Sequence, residues 1–209
     1  MPVDEIAPRR SIAARAAAIV LSPRSEWARI AAEDRPSGEV LNRYVLPLSL
    51  IWPVCASIGA LTFGHFGYGA GPLSDPTPVT PVSVLGSAII VFLGTLFSLL
   101  ALAMFASIVA RHHGGTHGGD RAFALIGYGS TPVLLAGVVA LVPSLAWLGL
   151  VALYGVRLLY LGAAPMLGVP REKVLRFTVV VVAAATLLNV IVVMMTRLND
   201  ALITGMGMA

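Results

Sequence analysis

The chain has 209 residues, of which 57% are hydrophobic and only 11% are charged, and its net charge is +4. A soluble domain of this length contains about a quarter charged residues, so the composition excludes an ordinary soluble protein and indicates a protein of the lipid bilayer. The positive charge does not indicate a nucleic-acid partner, because the basic residues are dispersed between long apolar segments rather than gathered in one patch.

Residues 1–43 are predicted to form a cytoplasmic tail. Within it, LSPRSEWARIAAEDRPSG has Ser22 as a candidate N-cap and Pro23 in the first helical turn, where its missing N–H costs nothing. The pattern predicts an amphipathic helix over about 22–34 that lies in the headgroup region of the membrane. Docking of this helix on the protein's own cytoplasmic loops is the alternative. The side chains expected to contact lipid or a partner are Trp27, Arg24 and Arg29.

A second helix is weakly indicated just before this one. The segment Ile12–Val20 is apolar enough for a helix, but Arg15 interrupts its apolar face. Its sequence alone therefore assigns it no clear environment.

Five later segments are apolar over the length that a bilayer requires. A hydrocarbon core about 30 Å thick is crossed by about 20 helical residues. The sequence therefore predicts an all-α polytopic membrane protein, a bundle of five transmembrane helices in a membrane domain over 44–196. The spans are predicted at about 44–66, 82–110, 122–142, 145–164 and 174–196.

The basic residues predict how these spans are oriented. Seven arginines lie in the N-terminal tail, two in the loop between spans two and three, and three basic residues between or beside spans four and five. Cytoplasmic flanks hold Arg and Lys, so the N-terminus is predicted inside and the short C-terminal tail 197–209 outside.

The loop RHHGGTHGGD offers the residue types that ligate a metal. Histidine and aspartate side chains bind Zn²⁺ and similar ions, which makes this loop a weak candidate metal site. The other interpretation is a turn, in which the glycines end span two and the aspartate caps span three. We favour the turn and predict no metal. The candidate ligands are His112, His113, His117 and Asp120.

Two polar side chains lie inside predicted spans. Arg157 is the one charged residue buried in a span, and it is interpreted as a snorkelling side chain or as a contact to a lipid phosphate or partner subunit. Asn189 in span five is a candidate for a hydrogen bond between helices or for a contact to lipid or a partner, and the favoured alternative is an asparagine that faces its own bundle without function.

Span three contains the sequence IGYGSTPVLL. Pro132 removes a backbone N–H and predicts a kink, and Gly127, Tyr128 and Gly129 precede it. A broken helix can form a transporter site, but a kink satisfied by Ser or Thr and by close packing is the more common outcome.

Motifs for catalysis are missing from the sequence. It has no phosphate-binding loop, no Ser–His–Asp set and no paired carboxylates in apolar surroundings. We therefore expect neither enzymatic activity nor a cofactor.

Several segments together resemble the Yip family of five-span membrane proteins, and specifically its bacterial branch. LSPRSEWARIAAE resembles the tail motif before the first span. GGDRAFALIGYGSTPVLLAGVVALVP resembles the glycine-led loop and the span that follows it, and LYGVRLLYLGAAPMLGVPREKV resembles the fourth span with its cytoplasmic turn. The resemblance implies five spans with the N-terminus inside, and its bacterial branch implies a location in a bacterial inner (cytoplasmic) membrane. The D-L-x-G-P motif of eukaryotic members is missing, so binding of Rab-type GTPases is not carried over.

These observations lead to two functional hypotheses. The first is a non-enzymatic membrane protein that organises the bilayer or a protein complex, as an adaptor or accessory subunit with a protein partner within the membrane. The alternative is a small transporter or channel that uses the kinked third span and Arg157 as its polar centre.

Overall fold

The structure is a computed structural model that describes residues 11–63, 80–141, 150–151 and 153–206. Every regular element in these ranges is helical, as the sequence predicts. Three helices are long and apolar enough to cross a membrane, and a fourth span is present if one bent pair counts as a single crossing. The expected five spans are not all tested, because part of the fourth, 145–164, lies outside the described residues.

The helices follow the order of the chain. In our labels they are α1 Ile12–Leu21, α2 Pro23–Glu33, α3 Ser37–Thr62, α4 Pro81–His112, α5 Asp120–Gly129, α6 Thr131–Leu135, α7 Tyr154–Leu167 and α8 Val174–Gly205. A 3₁₀ helix, Ala136–Leu141, continues α6. The first span therefore starts earlier than predicted, within the segment assigned to the tail.

Local signals fix the ends of α4. Thr80 and Ser83 form a capping box, with Pro81 in the first turn. The other end is at His112, and Gly114 takes φ of +88°, a left-handed conformation that glycine adopts without steric cost. The turn that the sequence predicts after span two is thus present.

One end of the bundle, which we call the arginine-rich end, gathers the termini of several helices. The N–H of Thr116, just after α4, donates to the carbonyl of Leu167 at the end of α7, at 3.0 Å. The N–H of Ser37, the first residue of α3, donates to the carboxylate of Asp120, the first residue of α5, at 2.9 Å. Arg121 pairs with Asp34 at 2.8 Å. These contacts place the ends of α2, α4 and α7 and the starts of α3 and α5 at one level.

From this end, α1 and α2 form a helical hairpin that lies alongside α7. At its turn, the Tyr154 hydroxyl donates to the carbonyl of Val20 at 2.9 Å. Further along, the Trp27 indole lies against Gly162, and Ile30 lines a cleft together with Met166. Later residues of α2 contact later residues of α7, so the two helices run parallel, both toward the arginine-rich end.

This packing corrects the prediction of an interfacial helix. The predicted helix exists, but Trp27 is 0% exposed, so its side chain contacts protein and not lipid. The correct alternative was docking on the chain itself, and the docking partner is helix α7 rather than a loop. The reason is that α1 supplies a second apolar surface. The two helices together therefore bury the apolar face of α2, which in a single amphipathic helix would contact lipid.

Proline residues shape spans one and three. Span one contains a π-helical turn at Leu41–Val45, just before Pro47. Span three bends by 41° between Gly129 and Thr131. Pro132 has no N–H to offer the carbonyl of Tyr128, and the Thr131 hydroxyl donates to that carbonyl instead, at 2.6 Å. The bend lies where the sequence predicts it, and a threonine satisfies it.

The long helices α4 and α8 pack against each other along their length. Gly94 accommodates Val192, and Gly86 accommodates Asn199. Helix α8 continues to Gly205, so most of the segment predicted as a C-terminal tail is helical. Only 17% of the most apolar stretch of each of these two helices is buried inside the protein, against 39% for α3.

Candidate functional site

The most polar part of the described interior is an ion cluster, Arg15, Glu26 and Glu33, which joins α1 to α2. The Arg15 guanidinium donates to Glu26 at 2.8 Å and to both carboxylate oxygens of Glu33, at 2.8 and 2.5 Å. The side chains of Arg15 and Glu26 are only 4% and 5% exposed. Glu26 and Glu33 are seven residues apart, so they share one face of α2, and one arginine can bridge them.

Glu33 connects this cluster to the arginine-rich end. Its carboxylate also accepts from Arg35 at 2.9 Å and from Arg29 at 3.2 Å. Burial by itself raises the pKa of Glu33, but the hydrogen bond and charge of Arg15, with the charges of the other arginines, outweigh it. The pKa therefore lies below its ordinary value of 4.5. Glu33 remains ionised and holds the base of the hairpin.

Aromatic side chains extend the cluster toward span three. Arg15 lies over the Tyr128 ring, 5.6 Å from its centroid, in a cation–π contact. The rings of Tyr44 and Tyr128 are 4.6 Å apart, and the Tyr44 hydroxyl is 2.7 Å from the Thr131 hydroxyl. The hairpin is thereby linked, through span one, to the residue that satisfies the bend of span three.

A small cleft opens beside the cluster. Its volume is about 10 Å³, and its lining residues are Ile30, Asp34, Arg35, Arg121, Ala124, Tyr128 and Met166. A volume of about 10–15 Å³ is the least that holds one water molecule. The cleft therefore has no room for a metabolite or a cofactor.

Trp27 is the side chain that fixes the hairpin to α7. A methyl group at Gly162 would lie 2.7 Å from Cε2 of the indole, so only glycine lets the two helices approach this closely. Among the described residues the indole N–H has no hydrogen-bond acceptor. The sequence identified this tryptophan as important, but for lipid contact rather than packing.

The predicted arginine contacts lie in two places. Arg29 belongs to the ion network around Glu33. Arg24 and Arg157 are exposed, and the Arg157 guanidinium lies over the Tyr154 ring at 5.3 Å. Both of these exposed arginines are near the turn of the hairpin.

The interhelical hydrogen bonds of α8 involve a different asparagine from the predicted one. Asn189 is exposed. Ten residues later, the Asn199 amide donates to the Ser87 hydroxyl at 3.1 Å and to the carbonyl of Ser83 at 3.3 Å, both on α4. Asn189 is turned away from α4, so the hydrogen bond to a neighbouring helix is not formed within the described residues, and its role as a contact to lipid or a partner stays a prediction.

The structure does not gather the histidines of the α4–α5 loop around one point. The rings of His112 and His113 meet edge to face, His113 Nδ1 lies 2.8 Å from the carbonyl of Val109, and His117 Nδ1 contacts Thr116. In the described part of the chain no three His, Cys, Asp or Glu side chains are placed to hold a metal ion. Asp120 was expected to cap its own helix. It instead accepts a hydrogen bond from the N–H of Ser37 and so caps the start of α3.

The remaining kink residues, Gly127 and Gly129, are buried in close contacts. A methyl group at Gly127 would lie 2.9 Å from a methyl of Val45, and one at Gly129 would lie 3.1 Å from Leu159. Sequence reasoning missed the ion cluster itself. The available signal was an arginine within an apolar helix, followed by a helix with two glutamates seven residues apart.

Comparison with known proteins gives one match. No curated protein and no solved structure matches the chain. The Yip1 domain matches residues 17–194, which is most of the sequence. This stretch includes α2, with Glu26 and Glu33, and the bent third span, and it begins two residues after Arg15. The chain is therefore a membrane protein that belongs to the Yip family.

Proposed function

We propose that this Yip-family protein is a non-enzymatic membrane adaptor, which organises a protein complex within a bacterial inner membrane. The proposal includes five spans, with the arginine-rich end in the cytoplasm and the C-terminus outside. The distribution of basic residues supports this orientation, because cytoplasmic flanks retain Arg and Lys.

The observation that carries the proposal is the contrast between the interior and the outer helices. The charged side chains of the described interior, Arg15, Glu26 and Glu33, are taken up in fixing the hairpin, and the Thr131 hydroxyl satisfies the bend. Helices α4 and α8 leave most of their apolar surface outside the protein. Such a surface suits association within a bilayer.

The transporter alternative has less support. A transporter needs a polar cavity near the middle of the membrane. The cleft beside Tyr128 is about the size of one water molecule. The Thr131 hydroxyl already donates to the Tyr128 carbonyl that the bend leaves free. Arg157 is exposed on α7.

Site-specific photo-crosslinking in native membranes tests the proposal. A photoreactive residue replaces Leu187 or Met194, which are 63% and 66% exposed on α8. An adaptor gives a discrete crosslinked protein from one face of the α4–α8 pair. The matched control replaces Leu150, which is 68% exposed and belongs to neither α4 nor α8. Crosslinks to lipid alone from every position, together with solute flux in liposomes, would refute the adaptor.

A further inference from the structure

The loops that follow α4 and α7 pack on each other at the arginine-rich end. At the end of α4, the N–H of Gly114 donates to the carbonyl of Arg111 at 3.1 Å. In the second loop, the N–H of Lys173 donates to the carbonyl of Pro170 at 2.8 Å and closes a turn around Arg171. A methyl group at Gly114 would lie 3.7 Å from the Pro170 ring, so these two turns are in contact. Arg111 and Arg171 therefore belong to adjoining turns.

The cationic residues of these turns and of the first turn of α8 form what we call the double-loop surface: Arg111, Arg171, Lys173 and Arg176. The three arginines are exposed, and the lysine is half-buried. Among the described residues, none of these four side chains has a hydrogen bond or an ion pair. The loops themselves, 113–119 and 168–173, contain one carboxylate, Glu172, so four cations and one anion leave a charge of +3.

On both α4 and α8 the exposed surface changes from apolar to cationic within one helical turn. Ile108 is 57% exposed and precedes Arg111 by three residues, so the two share a face of α4. Val179 is 59% exposed and follows Arg176 by three residues, so these two share a face of α8. Both helices are long and apolar enough to cross a membrane. Lipid headgroups lie at such a change, because Arg and Lys flank spans where the apolar layer ends.

The opposite ends of the same two helices have no such excess of positive charge. In residues 80–87 and 193–206, the described parts of those ends, the charged residues are Arg197 and Asp200, whose charges balance. Asp200 also accepts a hydrogen bond from the Ser87 hydroxyl at 3.1 Å, so it is engaged between the helices. The cationic excess is therefore confined to one end of the α4–α8 pair.

We propose that the double-loop surface binds the phosphate headgroup of an anionic phospholipid. Guanidinium groups donate paired, charge-assisted hydrogen bonds to phosphate oxygens, and the three arginines have their donors available. Basic clusters directly beside transmembrane helices attract anionic lipid. The neighbouring Ile108 and Val179 favour a lipid over a nucleic acid or an acidic protein, because acyl chains of the same molecule contact them. Binding of this lipid does not depend on the adaptor function, so either can fail without the other.

Quenching of a local fluorophore by spin-labelled lipid measures this binding. Leu175 is 63% exposed next to Arg176, and Leu175→Cys in a Cys55→Ser background carries the fluorophore. The full-length protein is placed in phosphatidylcholine vesicles with increasing amounts of spin-labelled phosphatidylglycerol or spin-labelled phosphatidylcholine, each with the nitroxide high on an acyl chain. We expect phosphatidylglycerol to reach half-maximal quenching at about tenfold lower content, and added salt to reduce this preference.

Variants of the protein assign the effect to the three arginines. The triple substitution of Arg111, Arg171 and Arg176 by Gln is expected to abolish the preference, whereas the matched triple substitution by Lys retains part of it, because charge is kept but paired donation is lost. These side chains are exposed, so their replacement leaves the packed core intact. Arg43→Gln is the control, since this arginine is 63% exposed on α3, outside the two loops. A fluorophore at Met194, 66% exposed near the other end of α8, should be quenched equally by both lipids.

Four outcomes would overturn the inference. The first is equal quenching of the Leu175→Cys label by both lipids, and the second is a preference that persists in the triple-glutamine variant. The third is the same preference at Met194, which would reflect only the positive charge of the whole protein. The fourth is loss of the preference on addition of inorganic phosphate at matched ionic strength, which would assign the surface to a soluble anion. None of these results contradicts the adaptor function, which the photo-crosslinks from α8 test separately.

Discussion

Replacement of Arg15 by Met tests whether the ion cluster holds the hairpin in place. Methionine keeps the unbranched apolar stem and removes the guanidinium that lies 2.8 Å from Glu26. Glu33 retains Arg29 and Arg35 within 3.2 Å, so the loss is concentrated at Glu26, whose side chain is 5% exposed. The buried carboxylate then has to remain without this charge partner.

The magnitude follows from burial and distance. Two unit charges about 4 Å apart interact by about 4 kcal/mol at an effective dielectric constant of about 20. Removal of one partner from a buried ion pair costs about 3–5 kcal/mol. We therefore expect Arg15→Met to lower the free energy of unfolding by about 3 kcal/mol. Arg43 pairs with Glu39 at 3.8 Å, and its side chain is 63% exposed, so Arg43→Met should cost under about 1 kcal/mol.

The assay is unfolding by SDS in mixed micelles, followed by circular dichroism and tryptophan fluorescence. Arg15→Met combined with Glu26→Gln removes both charges, and we expect it to recover more than half of the lost stability. If the double variant is as unstable as the sum of the single variants, the cluster is not a coupled pair. Equal stability of Arg15→Met and Arg43→Met would refute the reasoning altogether.

Three further predictions concern pH, packing and topology. Because the pKa of Glu33 is lowered in the folded state, its contribution to folding stability is fully present above the ordinary value of 4.5 and is lost as the pH falls below it. Unfolding titrations should therefore show declining stability below about pH 4.5. Constant stability there would contradict the ion network. Gly137→Ala would place a methyl group 2.7 Å from the backbone of α3 and should cost about 1–3 kcal/mol, whereas Gly38→Ala, with open space around it, should cost nothing in the same assay. In a cysteine-free background, Ser11→Cys should react with an impermeant maleimide from the cytoplasmic side, and Ser22→Cys at the hairpin turn should react only after detergent is added. Labelling of Ser22→Cys in intact membranes would place the hairpin outside the bilayer.

The sequence by itself determined the features that depend on local chemistry. Bilayer-length apolar runs predict the long helices, since composition alone decides that such segments avoid water. The left-handed turn at Gly114 and the bend before Pro132 follow from the backbone preferences of glycine and proline. The helix from Pro23 to Glu33 was also predictable, from its proline and its amphipathic pattern.

Tertiary structure decided which face of each helix meets which neighbour. Helices α4 and α8 are apolar almost all round, so their sequences do not indicate that Asn199 bonds to α4 while Asn189 turns away. The position of Trp27 against Gly162 depends on residues far apart in the chain. Arg15 gave the same difficulty, because an arginine in an apolar segment is equally consistent with lipid contact and with burial. Only the folding back of α2 brings Glu26 and Glu33 to it, and that pairing makes a buried charge stable.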